Sequence, residues 1–174
     1  MIITLEGAKV FNDKITQEEL DGLEASIREI TGNHFQVRGI RYHGLEFKDK
    51  QIIAKESRLI GIKVGDTIQV SDSIINNGLY VVLTVAGPTI TLESEVYEVY
   101  EPDAFITLVK YPADIKAGVV KLLQYDKEMT GKTGVKSRTI SRMSESYFDT
   151  SESNGGYPKH LMQFIDKYKS LRWS

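Results

Sequence analysis

The apolar and polar positions near the N-terminus follow the period of an α-helix. Thr16 followed by Glu19 matches a capping box, in which each side chain pairs with the other residue's backbone N–H. The apolar positions that follow share one helical face: Leu20, Leu23, Ile27 and Ile30. Gly32 and Asn33 are typical of a helix end. The pattern predicts one amphipathic helix whose acidic side chains face solvent: Glu18, Glu19, Asp21 and Glu24.

From about Gln36 the period changes to the alternation of β-strands. The predicted strands cover residues 37–42, 47, 51–54, 67–71, 79–85 and 89–92. Turn-forming pairs separate them, among them Asn-Gly at 77–78 and Gly-Pro at 87–88. The strands share an apolar face made by Ile68, Val70, Val81, Leu83, Val85, Ile90 and Leu92. Such a face predicts a small curled sheet or barrel.

Helical spacing returns in the last third of the chain, after a predicted strand at 105–109. Pro112 and Pro158 stand where a first helical position is expected, because proline's fixed φ suits that position. The first of these two helices has a stripe of Ile115, Val119, Val120, Leu122 and Leu123 and ends near Thr130. The second has a stripe of Leu161, Phe164, Ile165 and Tyr168.

The order of these periods predicts an α+β fold with two domains. Residues 1–35 and 101–174 would form a small helical domain of about three to four helices. Residues 36–100 would form a small antiparallel β-barrel-like domain that interrupts the helical domain. The strand at 105–109 would then return the chain from the inserted domain to the helices.

The composition excludes several classes of chemistry. The 174 residues contain no cysteine, so neither a disulfide framework nor a thiolate metal site can form. His34, His43 and His160 are widely separated and lack the spacing of metal ligands. The Gly-Lys-Thr at 131–133 follows a predicted helix and lacks the first glycine of a phosphate-binding loop. We therefore expect no catalytic residue, no metal and no cofactor.

The chain also lacks the patterns of a membrane protein. The first residues do not combine a basic start with an apolar run of signal-peptide length. The most apolar stretch, 80–86, is too short to span a bilayer. We expect a protein made in the cytosol, with no membrane partner.

The net charge of −2 conceals an asymmetry along the chain. Residues 1–109 hold 10 Lys and Arg against 17 Asp and Glu, whereas residues 110–174 hold 12 against 7. Head-to-tail association of several copies would bring these opposite charges together. Pairing of the two sets within one monomer would do the same, and the sequence leaves both possibilities open.

The segment that joins the two C-terminal helices carries a resemblance to a known family. Residues 134–141 are GVKSRTIS, residues 144–147 are SESY, and residues 156–158, GYP, open the last helix. This run resembles the C-terminal half of the head–tail connector, or adaptor, proteins of long-tailed bacteriophages and prophages. Residues 111–116, YPADIK, and 122–125, LLQY, are similar to the family's penultimate helix. Residues 65–85 are similar to the β-insertion of some connectors.

The resemblance implies a helical connector domain with a structural role and without catalysis. Such proteins form a ring, typically dodecameric in the virion, beneath the portal of the DNA-filled head. The ring would extend the DNA channel, and packaged DNA would pass through it without sequence-specific contact. The implied partners are the portal protein, neighbouring copies of the chain and the next neck or tail-completion protein. The implied location is the head–tail interface of the virion, after synthesis in the bacterial host.

The connection between the two C-terminal helices is the predicted assembly loop, because a connection of about 26 residues in a small domain is usually functional or disordered. In the connector interpretation its partner-binding residues are Gly131, Lys132, Gly134, Lys136, Arg138, Ile140, Arg142 and Tyr147. The glycines give the backbone freedom to change shape on binding. The Lys and Arg side chains offer charge-assisted contacts to acidic surfaces of neighbouring subunits or the portal.

Two other classes of function remain open from the residues. The basic C-terminal half favours a cytoplasmic module that binds nucleic acid through phosphate contacts. Residues 36–100 do not support such binding, because their 7 Lys and Arg are matched by 8 Asp and Glu and form no stripe with the aromatic residues. A regulatory or inhibitor protein with a defined host partner is the third class.

Overall fold

A computed structural model describes residues 1–55, 58–130, 137–140, 143–146, 153–154 and 157–170. The chain divides into two compact units. The barrel unit consists of Met1 with His34–Lys110, and the helical unit consists of Ile2–Asn33 with Tyr111–Ser174. The fold is therefore mixed α and β, and the barrel unit interrupts the sequence of the helical unit.

Six antiparallel strands form a closed barrel in the barrel unit. They are β1 (Gln36–Lys48), β2 (Gln51–Ala54), β3 (Thr67–Ser71), β4 (Gly78–Ala86), β5 (Thr89–Leu92) and β6 (Val99–Val109). Their order around the barrel is β1, β2, β5, β4, β3, β6. Because closure pairs each of these strands on both sides, the barrel leaves no strand at an open edge. The barrel predicted from the alternation is confirmed.

Apolar side chains that alternate along the strands fill the barrel. The largest that are fully buried are Leu45, Phe47, Ile52, Ile68, Ile90, Leu92 and Ile106. Leu59 and Ile62, from the connection between β2 and β3, belong to the same core. Burial of each such Leu, Ile or Phe side chain stabilises the fold by about 1.5–3 kcal/mol. Leu59 and Ile62 therefore tie their part of the connection to the packed core.

Strand β4 buries residues other than those predicted. Val82 is fully buried, whereas Leu83 is exposed and Val81 is only partly buried. The pairing of β4 with β5 changes register between Val82 and Thr84, an irregularity of the β-bulge type. Because one extra residue reverses the alternation, Val85 again packs against the core. The prediction was correct for Val85 and wrong for Val81 and Leu83.

Strand β6 extends the predicted strand at 105–109 and closes the barrel. It pairs with β1 on one side, where Tyr42 lies opposite Ile106, and with β3 on the other, where Ile68 lies opposite Leu108. Residues 105–109 therefore belong to the barrel unit, and the helical unit resumes at Tyr111. The end of the barrel unit at Lys110 thus differs from the predicted boundary at residue 100. The reason is that alternation alone does not show which strands a given strand will pair with.

The helical unit contains α1 (Leu5–Lys9), α2 (Gln17–Thr31), α3 (Ala113–Met129), α4 (Lys159–Met162) and a 3₁₀ helix (Gln163–Tyr168). Helix α2 begins and ends as predicted. Its capping box joins Thr16 and Glu19, and Gly32 ends it with a left-handed φ of 60°. The fully buried side chains include Ile27, Ile115, Leu122, Leu123 and Ile165.

Glu24 of α2 is buried rather than solvent-facing as predicted, with 6% of its surface exposed. Its Oε2 accepts a hydrogen bond from the Ile2 N–H at 3.0 Å, and its Oε1 accepts one from the Tyr111 hydroxyl at 2.8 Å. Burial raises the pKa of Tyr111, and the Glu24 charge raises it further. These bonds stabilise the buried carboxylate and join α2 to Tyr111, two residues before the start of α3.

The last helix is shorter than predicted and buries a different side chain. Pro158 is the N-cap of α4 rather than its first helical residue. Pro112 is likewise the N-cap of α3. After Met162 the chain tightens into the 3₁₀ helix, in which residues three apart share a face. Met162 and Ile165 are therefore buried and Tyr168 partly buried, whereas Leu161 is only partly buried. The prediction was correct for Ile165 but missed Met162.

Two short hairpins lie between α3 and α4 in the described residues. Strands β7 (Ser137–Ile140) and β8 (Met143–Ser146) pair with each other, and so do β9 (Ser153–Asn154) and β10 (Tyr157–Pro158).

Within the residues that the structure describes, no helix combines the length and apolar character needed to cross a bilayer.

Candidate functional site

The predicted assembly loop falls largely outside the described residues. Six of its predicted partner-binding residues lie there: Gly131, Lys132, Gly134, Lys136, Arg142 and Tyr147. Arg138 and Ile140 are described, and both belong to strand β7. In the register of the hairpin Arg138 lies opposite Glu145, and Ile140 lies opposite Met143. The polar alternation at 137–146 thus corresponds to two paired strands.

Residues of α3 and β10 flank this loop on its two sides. Thr130 ends α3, and its hydroxyl donates a hydrogen bond to the Asp126 carbonyl at 2.9 Å. On the other side, Tyr157 begins β10 and pairs with Asn154. Both flanks therefore belong to the helical unit.

A hydrogen bond between side chains joins the two flanks. The Tyr157 hydroxyl donates to Asp126 Oδ2 at 2.6 Å, and its ring meets the Tyr125 ring edge-on with centroids 6.2 Å apart. Burial raises the pKa of Asp126, although the bond from Tyr157 opposes that rise. Burial and the nearby Asp126 carboxylate raise the pKa of Tyr157. The bond is therefore partly desolvated, which makes it stronger than an exposed hydrogen bond would be.

A groove of about 630 Å³ with a mixed polar and apolar lining lies beside this bond in the helical unit. Its apolar lining comes from α2, α3, α4 and the segment before α2: Ile15, Leu23, Ile30, Leu123, Met129 and Met162. Its polar lining consists of Asn12, Lys14, Glu19, Ser26, Asp126, Thr130 and Tyr157. The groove has the size of a small-molecule site. Glu19 is engaged in the cap of α2, and Asp126 and Tyr157 are bonded to each other, so the lining does not single out a reaction.

The C-terminal end of the described chain is anchored at two points. The Tyr168 hydroxyl donates to Asp114 Oδ1 at 2.6 Å, and Lys167 Nζ lies 2.5 Å from Asp114 Oδ2. The bonds from Lys167 and Tyr168 lower the pKa of Asp114 from 3.8 to about 2. Ser170 donates its backbone N–H to the Thr31 carbonyl at 2.8 Å. These contacts hold the segment after the loop against α2 and α3.

Among the described residues, no cluster of three His, Asp or Glu side chains could hold a metal ion. The expectations of no catalysis, no metal and no cofactor stay predictions. Sequence reasoning missed the pair of Asp126 and Tyr157, since the two residues lie far apart in the chain and no periodic pattern links them. The Tyr-Pro at 157–158 marked only the start of a helix.

No protein-family model matches the chain, and a search of curated proteins finds no match either. The candidate site therefore rests on the chain's own residues and on the resemblance described above.

Proposed function

We propose that the chain is a structural neck protein of a long-tailed bacteriophage or prophage. Copies assemble as a ring beneath the portal, extend the DNA channel and provide the docking surface for the next neck or tail-completion protein. The helical unit is the connector domain, and the barrel unit is an insertion into it. The function is mechanical and needs no catalytic residue.

The observation that carries the proposal is the run GVKSRTIS at 134–141 and its position in the helical unit. The run lies between the segment 111–129, which contains the YPADIK and LLQY similarities and includes α3, and the helix that follows Pro158. The order of helix, loop and helix is the order expected for the C-terminal half of a connector. The agreement of sequence run and element order supports the family assignment better than either does alone.

The barrel insertion gives separate support. A barrel between α2 and α3 is the arrangement expected if residues 65–85 belong to a connector's β-insertion. The helical unit consists of segments on both sides of the barrel unit, so the insertion divides one compact unit rather than joining two independent ones. The side-chain bonds of Glu24 with Tyr111 and of Tyr157 with Asp126 both lie within that divided unit.

The assembly loop is the part of the connector domain that we assign to partner binding. Its Lys and Arg residues would pair with acidic surfaces on the portal or on the neighbouring subunit. The bond between Tyr157 and Asp126 joins the residues on either side of the loop, so it would hold the two ends of the loop close to each other in the connector domain.

The test is a double charge reversal, Arg138→Glu with Arg142→Glu, assayed for binding to the portal protein encoded nearby. We expect the variant to keep its circular-dichroism spectrum and to lose portal binding. The control is Lys116→Glu with Lys121→Glu, which makes the same change of charge on exposed positions of α3. Normal portal binding by the loop variant, or equal loss in both variants, would contradict the role assigned to the loop.

Nucleic-acid binding is the second candidate, because residues 110–174 carry an excess of five positive charges. That function predicts a DNA affinity that falls steeply with salt, since phosphate contacts release counterions. Measurement of DNA affinity at two salt concentrations separates the candidates, because the connector function predicts at most weak binding without sequence preference.

A further inference from the structure

The two ends of the barrel differ in what they expose. The chain enters β1 and leaves β6 at the same end, where the Lys110 N–H donates to the Phe35 carbonyl at 2.9 Å. The opposite end consists of the connections that follow β1, β3 and β5. We call it the distal end and define it as residues 49–50, 72–77 and 93–98.

The distal end exposes three large apolar side chains. Ile74 is 86% exposed, Ile75 50% and Tyr97 70%. Ile74 and Ile75 are consecutive, and Tyr97 lies beside them because Asn76 pairs with its backbone. Apolar side chains grouped in this way on a surface mark interaction sites more often than scattered ones do.

The connection that carries Ile74 and Ile75 is held in one conformation by buried polar groups. Asn76 is 1% exposed, accepts from the Tyr97 N–H at 2.9 Å and donates to the Tyr97 carbonyl at 3.0 Å. The buried Glu101 carboxylate accepts from the Ile74 N–H at 3.0 Å. Ile74 and Ile75 therefore point to solvent in a connection that is already ordered. A preordered apolar surface binds a partner at a lower entropic cost.

The same segments of the distal end are acidic. The distal end contains Asp49, Asp72, Glu93, Glu95 and Glu98, against Lys50 and the neighbouring Lys48. A partner for this surface needs apolar side chains with positive charges around them.

The connection between β2 and β3 of the barrel carries a surface with exposed apolar side chains and positive charges. Ile60 is 75% exposed and Val64 66% exposed, while Leu59 and Ile62 of the same connection are buried in the core. Arg58 and Lys63 lie beside the exposed pair and are exposed themselves. The carboxylate of Asp66 accepts the Lys63 N–H at 2.7 Å, which closes the turn. We call residues 58–64 the basic connection.

We propose that the distal end of one barrel docks on the basic connection of a second copy of this chain. Ile74, Ile75 and Tyr97 would cover Ile60 and Val64, while Glu95 and Glu98 would face Arg58 and Lys63. This inference rests on the proposed function, because such a head-to-tail contact leaves a free end on each copy and builds a ring when its rotation closes. Contact between two distal ends is disfavoured, since it would place acidic groups against each other.

The first test uses the absence of cysteine, which lets single cysteines be placed without side reactions. Ser94→Cys labels the distal end, and Val64→Cys labels the basic connection with a residue that stays apolar. We expect a short bismaleimide to cross-link the two variants to each other when they are mixed. The cross-link should form both at high protein concentration without the portal and in the complex with the portal. Neither variant should cross-link to itself. Cross-linking of Ser94→Cys with itself, or no mixed product in either setting, would overturn the proposal.

The second test exchanges the charges. One variant carries Glu95→Lys with Glu98→Lys, and the other carries Arg58→Glu with Lys63→Glu. Each variant alone should associate at least about tenfold more weakly than the natural chain, because like charges then face each other. A mixture should recover association in sedimentation velocity, since each altered surface meets its complement. A mixture that stays as weak as its components would count against the pairing.

Portal binding measured in parallel separates this inference from the proposed function. Mixed cross-links without portal binding would leave the barrel contact standing and contradict the neck role. If the Ile74→Asp variant forms the same portal-bound rings as the natural chain, the neck role is supported and the barrel contact is rejected.

Discussion

The ring of Phe164, in the C-terminal 3₁₀ helix, packs directly on Gly118 of α3. A Cβ at position 118 would overlap the ring carbons of Phe164, so the contact requires a glycine. Gly118 is buried between Ile115 and Leu122, which lie on the same face of α3. The close approach explains why a glycine stands near the centre of α3, although glycine is a poor helix former.

Gly118→Ala should therefore destabilise the helical unit. Overpacking of a core costs about 1–3 kcal/mol, and the better helix propensity of alanine offsets about 1 kcal/mol of it. Urea unfolding followed by far-ultraviolet circular dichroism measures the balance. The control is Gly22→Ala at an exposed position of α2. A Cβ there meets nothing within 4 Å, so only the gain in helix propensity remains. Equal stabilisation by both substitutions would show that the Phe164 contact is not tight.

Tyr157→Phe should raise the pKa of Asp126 above its already raised value, because the tyrosine hydroxyl stabilises the charged carboxylate. Loss of a hydrogen bond to a charged group should also destabilise the unit by about 1.5–3 kcal/mol. NMR titration of the side-chain carboxyl measures the first effect, and urea unfolding measures the second. Tyr125→Phe keeps the edge-on ring contact and should leave the Asp126 titration unchanged; an equal shift in both variants would refute a specific bond.

Asp114 should make stability depend on acidic pH. Its pKa is lowered from 3.8 in the unfolded chain to about 2 by the bonds from Lys167 and Tyr168. Such a group stabilises the fold above the unfolded pKa, and this contribution is lost as pH falls through the folded pKa. Between about pH 4 and pH 2 the natural chain should therefore lose more stability than Asp114→Asn does. Parallel loss in the two proteins would show that Asp114 is not coupled to folding.

Asn76→Ala should destabilise the barrel unit, because it leaves the backbone N–H and carbonyl of Tyr97 without their partner. A buried group left unpaired costs about 1–3 kcal/mol. Ile74→Ser, two residues away, removes a side chain that is 86% exposed and should change stability by less than about 0.5 kcal/mol. Thermal unfolding of both variants makes the comparison. A large loss from Ile74→Ser would mean that Ile74 serves the fold rather than a partner.

Local signals in the sequence were enough to predict several elements. Thr16, Glu19 and Gly32 specify α2 through contacts within a few residues, and β3 and β5 follow from short apolar alternation. Helix α1 was missed because its five residues are too few to show a period; Thr4 caps it by accepting from the Gly7 N–H.

Features that depend on distant parts of the chain could not be predicted. The register shift at Val82 reverses the alternation of β4, and only pairing with β5 reveals it. The burial of Glu24 depends on Tyr111, which is remote in sequence. The bond between Tyr157 and Asp126 likewise needs the folded helical unit. Such contacts depend on which helices and strands pack together. No local pattern in a single sequence shows which elements will be neighbours in the fold.

The proposed neck role requires that copies of this chain form a ring on a portal. Native mass spectrometry with negative-stain imaging of the chain, alone and mixed with the portal protein encoded nearby, measures this assembly. We expect a monomer or weak oligomer alone and a ring of defined copy number when the portal is present. A strict monomer that ignores the portal at every concentration would contradict it.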